Sequence, residues 1–133
     1  MATLGTYLTI DGAAAAIDYY KAAFGAEEVM RAPAPEHGGK LMHAELKVFG
    51  QTLYMSDELD DYASVRSPKT LGGTSFNLIV TLEKPDEVDA ALAKAEAAGG
   101  TITMPAADQF WGDRFGMLRD PFGHMWAFNA PKA

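Results

Sequence analysis

Three histidines and no cysteine limit the side chains on which chemistry can be built in this chain of 133 residues. Without cysteine there is no disulfide, no thiolate nucleophile and no zinc–cysteine site. In LMHAELKV, residues 41–48, strand alternation places His43, Glu45 and Lys47 on one face and Met42, Ala44, Leu46 and Val48 on the other. His43 and Glu45 then lie roughly 7 Å apart along the strand. That suits a base and its carboxylate partner, or two polar anchors for one ligand. A half-exposed strand rim beside Lys47 has the same pattern. His37, in PAPEHGG, reads as a solvated loop residue. His124 follows DPFG, which fits a type I turn with Asp120 first, Pro121 second and Gly123 last. It shares parity with Trp126 and Phe128, two core aromatics, so a structural role facing away from any pocket is expected.

The stretch Asp108–Arg114 is the other concentration of functional side chains. Phe110 and Trp111 offer flat apolar surface, Gly112 lets the backbone bend, and Arg114 carries a planar fork suited to a carboxylate or phosphate. The competing reading packs Phe110 and Trp111 into an interface and pairs Arg114 with Asp113 or Asp108. Tyr62, Arg66 and Lys69 either cap a cavity or sit in a solvated linker. Met30, Met42, Met55, Met104, Met117 and Met125 are spread over several strands, as core filling that also lets a nearby pocket adapt to varied apolar ligands.

The elements that must hold these residues follow from periodicity. Leu4 to Ile10 alternates as a strand, with Leu8 and Ile10 on one face and Tyr7 and Thr9 on the other. Asp11 is placed to cap a helix from about Ala13 to Phe24, whose stripe is Ile17, Tyr20 and Phe24 and whose stop is Gly25. Strands are expected over 27–32, 41–49 and 52–56, the last two as a hairpin through Gly50-Gln51. A polar connector, 57–73, precedes a strand at 75–82 with Phe76, Leu78, Val80 and Leu82 on one face. Pro85 suits the first position of a second helix, with Asp86 and Glu87 favourable to its dipole. That helix runs through Val88, Ala91, Leu92 and Ala95 to Gly99-Gly100. Strands are then expected over 101–104, near 115–119, and over 124–129.

The order β-α-β-β-β thus occurs twice, displaced by about 70 residues. One copy leaves a sheet face bare, and two copies can cover each other's bare faces around a cavity for a small ligand. The expected class is α+β: two βαβββ modules forming a U-shaped mixed sheet around a cavity, helices outside. One domain over 1–133 is expected, with module one at about 3–57, the connector at 58–73 and module two at about 74–130. An apolar fraction of 48% argues for a folded core, and a net charge of −7 would repel nucleic acid. No apolar run is long enough to span a bilayer and no secretion signal is visible, so a cytoplasmic protein without a membrane partner is expected.

Over nearly the whole chain, the sequence resembles the vicinal oxygen chelate superfamily of glyoxalases, bleomycin-resistance proteins and dioxygenases, and within it the PhnB-like group. The resemblance is carried by YLTIDGAAAAIDYYKAAFGAEE, MHAEL, SPKTLGG and MPAADQFWGDRFGMLRDPFGHMW. It implies paired βαβββ modules around a pocket and a homodimer. Metal-dependent members hold their ion with His, Gln or Glu on the first and last strands of each module. By strand parity those places fall here at Tyr7, Tyr54, Asn77 and Ala127, and alanine cannot coordinate. The expectation is therefore a small-molecule-binding protein without the usual metal and with no other cofactor. Tyr7, Tyr54, Asn77, Phe110, Trp111 and Arg114 would line the pocket. The alternative is a lyase, isomerase or dioxygenase-type enzyme on a small oxygenated substrate, using His43 and Glu45 as catalytic groups or a bound divalent metal.

Overall fold

A computed structural model describes residues 1–62 and 64–132, and Ala63, inside the expected connector, lies outside the described residues. The chain divides into two compact units, Met1–Gly73 and Thr74–Ala133.

In the first unit, β1 (Thr6–Ile10) leads into α1 (Ala13–Phe24), followed by β2 (Glu27–Pro33), β3 (Leu41–Val48) and β4 (Gln51–Asp57). The sheet order is β1-β4-β3-β2, with β1 parallel to β4 and the other pairs antiparallel. Apolar periodicity fixes which face α1 covers. Leu8, Ile10, Ala44, Leu46, Leu53 and Met55 are buried beneath Ile17, Tyr20 and Phe24, each leucine, isoleucine, methionine or phenylalanine side chain contributing about 1.5–3 kcal/mol when fully buried. The helix ends where Gly25 adopts φ 68° and its N–H donates to the Lys21 carbonyl at 3.1 Å, a left-handed stop that glycine allows without a Cβ penalty.

Two expectations fail here. Met42 is exposed rather than core. The β2–β3 register shifts between Ala32, opposite His43, and Pro33, opposite Leu41, so Met42 has no direct partner and Leu41 is buried in its place. Asp11 does not cap α1. Gly12, whose φ is 106°, is the residue that precedes the helix as its cap, and Asp57 at the end of β4 supplies the acceptor. Its Oδ1 accepts from the N–H groups of Gly12 and Ala13, both at 2.9 Å, and its Oδ2 from Leu41 N–H at 2.7 Å. An acceptor 44 residues from Ala13 in sequence replaces the local one because the parallel β1–β4 pairing delivers it to the helix start.

The segment after β4 contains a short helix, α2 (Pro68–Leu71), that periodicity does not indicate. Ser67 caps it, and Glu58 accepts from Ser67 N–H at 2.6 Å and from the Thr70 hydroxyl at 2.9 Å. These bonds, led by the Ser67 backbone N–H, hold the Glu58 carboxyl below its ordinary range.

The second unit repeats the plan with β5 (Asn77–Thr81), α3 (Pro85–Ala97), β6 (Thr101–Asp108), β7 (Asp113–Arg119) and β8 (Met125–Pro131), in the order β5-β8-β7-β6. The architecture is thus α+β, with two βαβββ modules each carrying its helix on one face of a four-stranded mixed sheet. Pro85 opens α3 as expected, and Glu87 Oε1 accepts from Lys84 N–H at 2.8 Å. Phe76 precedes β5 and is exposed, not a core strand residue. β6 extends four residues beyond the expected Met104. Pro105 is accommodated because β6 is an edge strand whose register shifts between Met104 and Ala107. Gly116 of β7 lies under α3, where a Cβ would overlap the Leu92 side chain and approach the Met104 carbonyl oxygen to 3.1 Å.

Candidate functional site

The face of the first sheet turned away from α1 carries the side chains left over by the core pattern: Tyr7 and Thr9 from β1, His43, Glu45 and Lys47 from β3, and Thr52, Tyr54 and Ser56 from β4. Register brings three of them into one row. Tyr7 pairs with Tyr54 across the parallel ladder, and Tyr54 pairs with Glu45 across the antiparallel one. The Tyr7 and Tyr54 rings stack at a centroid distance of 6.1 Å and an interplanar angle of 8°. Gly5 leaves room for this, since a Cβ there would sit 3.3 Å from Tyr54 Cε2.

His43 stands beside both rings, at 5.5 Å from Tyr7 and 6.0 Å from Tyr54. Its Nδ1 lies 2.8 Å from the Tyr7 hydroxyl and its Nε2 lies 2.9 Å from Glu45 Oε2. An ionised carboxylate only accepts, so Nε2 carries the hydrogen in that bond and neutral His43 receives the Tyr7 O–H at Nδ1. The result is a continuous hydroxyl–imidazole–carboxylate chain. Tyr7 is 52% exposed, and the His43 and Glu45 side chains are 30% and 31% exposed, so the chain meets solvent at its phenol end. The sequence indicated His43 and Glu45 as partners and Tyr7 as a pocket residue. It did not indicate that Tyr7 is bonded to His43, because the contact spans 36 residues and two strand pairings.

The corresponding face of the second sheet is different. Asn77 sits at the start of β5. Thr81 donates to Asn129 Oδ1 and Asn129 Nδ2 donates to Asp113 Oδ2, each at 3.0 Å. Thr81 and Asn129 carry no sequence signal beyond the parity Asn129 shares with Ala127 in β8, and Asp113, which the sequence offers as a partner of Arg114, accepts from Asn129 instead. An amide at the centre fixes directions of hydrogen bonding and does not pass protons as an imidazole does.

Arg114 projects from the helix-covered side of β7. Its guanidinium holds Asp89 of α3 through Nε at 2.7 Å and Nη2 at 2.8 Å, and Asp108 through Nη1 at 3.0 Å. This fork–fork pairing raises the Arg114 pKa, with Asp89 the larger cause, and holds the carboxyls of Asp89 and Asp108 below their ordinary range. Of the two partners the sequence offers, Asp108 bonds Arg114 while Asp113 accepts from Asn129; Asp89, twenty-five residues away, is the stronger partner and leaves no local sequence signal. Phe110 and Trp111 occupy the tip of the β6–β7 hairpin, 96% and 51% exposed. Their rings meet edge-on at 5.1 Å, and Trp111 meets Phe115 at 5.9 Å.

His124 is buried with its ring 6.4 Å from Phe76. Its backbone N–H donates to Asp120 Oδ1 at 3.0 Å, which also accepts from Phe122 N–H, while Asp120 Oδ2 accepts from the Trp126 indole at 3.0 Å. DPFG is a turn, as read, closed by Gly123 N–H on the Asp120 carbonyl at 3.1 Å. His37 meets Asp61 at 3.3 Å, Lys69 meets Asp11 at 3.1 Å, and Arg66 reaches the carbonyls of Leu59, Tyr62 and Val65.

The four positions that the resemblance assigns to metal ligands supply two phenols, one amide and one methyl group, and the Tyr7 phenol is already committed to His43. This donor set does not fit a divalent ion. Among the described residues, no group of three or more His, Asp or Glu side chains is gathered to hold one. Among the same residues, no helix is long and apolar enough to cross a membrane.

Comparison with known proteins agrees with this architecture. The uncharacterised protein Mb0911c of Mycobacterium bovis is 41% identical over 130 residues, covering 96% of this chain and 82% of its own. The structure of protein PA1353 from Pseudomonas aeruginosa superposes with a TM-score of 0.76 at 26% identity, covering 100% of both chains. A PhnB protein from Bacillus cereus gives 0.74 at 25% identity, with 97% of this chain and 99% of that one covered. The sequence profile of the Glyoxalase/Bleomycin resistance protein/Dioxygenase superfamily matches residues 4–128. With that match covering both βαβββ modules, the chain belongs to the glyoxalase/bleomycin resistance protein/dioxygenase superfamily.

Proposed function

We propose that this protein binds a small, partly aromatic organic ligand on the open face of its first sheet, without the metal of its metal-dependent relatives. The observation that carries this reading is the row Tyr7–Tyr54–Glu45 with His43 beside it. Two near-parallel phenol rings present aromatic surface, and the polar groups beside them are held in place by their own hydrogen bonds. Such a surface, mostly aromatic with a few fixed polar groups, favours flat ligands bearing oxygen functions. The likeness of the fold to the PhnB protein from Bacillus cereus supports a small-molecule role. We further propose that the protein acts as a cytoplasmic homodimer, with Asn77, Phe110 and Trp111 contributing to the subunit contact. Arg114, held by two carboxylates, serves the second module's stability first.

The test is a thermal-shift screen of small planar phenols and hydroxylated heterocycles, followed by amide chemical-shift mapping of the hits. A ligand at a hundred times its Kd raises stability by about 2.7 kcal/mol. The expected result is a shift that maps to β1, β3 and β4 and weakens at least about tenfold in Tyr54→Ala, the loss of one base-sized stacking contact. Hits that map elsewhere and ignore Tyr54→Ala would sink the assignment. Elemental analysis of the purified protein checks the metal: a stoichiometric divalent ion would overturn the metal-free reading.

A further inference from the structure

We propose that Tyr7 is the reacting group of this face. It exchanges a proton with the ligand while His43 and Glu45 behind it take up and return that proton, and the ligand carries an acidic hydroxyl, a phenol or an enol. This rests on the reading of the open face as the ligand site.

The geometry dictates which way the chain can run. Glu45 fixes a hydrogen on His43 Nε2 at 2.9 Å, so the changeable position is Nδ1, 2.8 Å from the Tyr7 oxygen. While His43 is neutral, Nδ1 draws the Tyr7 hydrogen inward and the phenol turns its lone pairs toward solvent, where they accept. When His43 is an imidazolium, Nδ1 carries a hydrogen and donates to the Tyr7 oxygen, and the phenol hydrogen is released to point outward, where it donates. One proton on His43 therefore converts Tyr7 from an acceptor to a donor toward the ligand.

The step balances without any co-reactant. The ligand O–H bond breaks and its proton joins the Tyr7 oxygen. The former Tyr7 proton moves to His43 Nδ1. The ligand leaves the step as an anion beside a neutral phenol, and the new imidazolium is paired with the Glu45 carboxylate, so the site's net charge is unchanged. Reversal returns the proton. The groups that face His43 are few: Tyr7 from β1, Tyr54 from β4, and Glu45 with, further along, Lys47 from its own strand. β2 places Ala32 opposite it, and on the same face it brings Glu27, opposite Lys47 at the far end of the strand pair. Among the described residues Glu45 is the carboxylate within hydrogen-bond distance of His43.

The chain contains its own control. Tyr7 is 52% exposed and Tyr62 is 53% exposed, so any excess reactivity of Tyr7 comes from its neighbours and not from access. The experiment is limited acetylation of the whole protein with N-acetylimidazole, with the rate at each tyrosine read by peptide mass spectrometry between pH 5 and about 9. In this reaction the phenol oxygen forms a bond to the acetyl carbon, the acetyl–nitrogen bond breaks, the phenol proton goes to His43, and the leaving imidazolide takes a proton from water to depart as imidazole.

Tyr7 is expected to react roughly tenfold to a hundredfold faster than Tyr62. Its rate should climb and level off as an imidazole loses its proton, while the Tyr62 rate rises without a plateau. His43→Gln should bring Tyr7 down to the Tyr62 rate, and Glu45→Gln should lower it part of the way. The Tyr62 rate and continued protection of the buried Tyr19 and Tyr20 report that each variant is folded, and the half-exposed Glu45→Gln stands in if His43→Gln is not. Equal rates at Tyr7 and Tyr62 in the unaltered protein, or a fast Tyr7 that ignores both variants, overturns the proposal. Acetylation needs no bound ligand, so a fast, His43-dependent Tyr7 supports the relay even where the ligand screen fails. Ligand binding beside an unreactive Tyr7 supports the binding site and ends the relay.

Discussion

At the scale of single residues, identity and role separate in ways that only partners explain. Asp57 and Asp11 flank the same helix start in space, yet Asp57 takes the helix N–H groups while Asp11 pairs with Lys69 at the surface. Asp57→Ala would leave three backbone donors without their acceptor in a buried setting. We expect a loss of about 2–4 kcal/mol, visible as a lower urea midpoint at unchanged m-value; an unchanged midpoint would show that water replaces the carboxylate. Arg114 gives a prediction with a pH sign. The carboxyls of Asp89 and Asp108 are lowered in the folded state, chiefly by hydrogen bonds from Arg114. Their contribution is present above the unfolded carboxylate pKa, about 4, and is lost as the pH falls through the lowered folded values. Arg114→Gln should therefore lower the melting temperature at neutral pH, and its deficit should shrink below about pH 4. A deficit that is constant down to pH 2 would refute the electrostatic account. Being largely exposed, these pairs are salt-sensitive, so the deficit should also narrow in high salt.

At the scale of elements, helices and strands follow from short-range pattern where one face is buried and the other is not. The stripe of α1, the alternation in β3 and Pro85 opening α3 were all legible because each is dictated by neighbours within a few residues. β6 was cut short at Pro105 because proline cannot donate to a ladder, and the sequence does not say that this strand lies at an edge, where no donor is required. α2 is one turn long, too short for a helical period to show, and beyond its local Ser67 cap it is tied down by Glu58, which lies outside the helix. Gly116 shows a constraint that belongs to the packing of two elements. It lies so close under α3 that Leu92 occupies the place of a side chain. Gly116→Val should cost about 1–3 kcal/mol by overpacking, and Leu92→Ala should recover part of it, since the two changes share one space. Additive losses measured by denaturant titration of both single variants and the double variant would contradict that reading.

At the scale of the whole molecule, the same five-element plan is used twice, and the two copies have diverged on the faces their helices leave open. The first copy has an imidazole at the centre of its polar chain; the second has the amide of Asn129. The proposed homodimer belongs to this scale: light scattering at micromolar concentration should give twice the protomer mass, and the unfolding midpoint should rise with concentration. A protomer mass there would refute it. What the sequence by itself determined is the α+β class, the doubled order of elements, the core faces apart from Met42 and Phe76, the DPFG turn and the shared strand face of His43 and Glu45. All of these rest on contacts between residues a few positions apart or on a strict period. What only the tertiary structure decided is which side chain each polar residue serves: Tyr7 for His43, Asp57 for α1, Asp89 for Arg114, Asp120 for Trp126. Periodicity assigns a side chain to a face. The partner it meets there is set by the pairing of strands and the packing of helices, which act between residues remote in sequence and leave no local pattern to read.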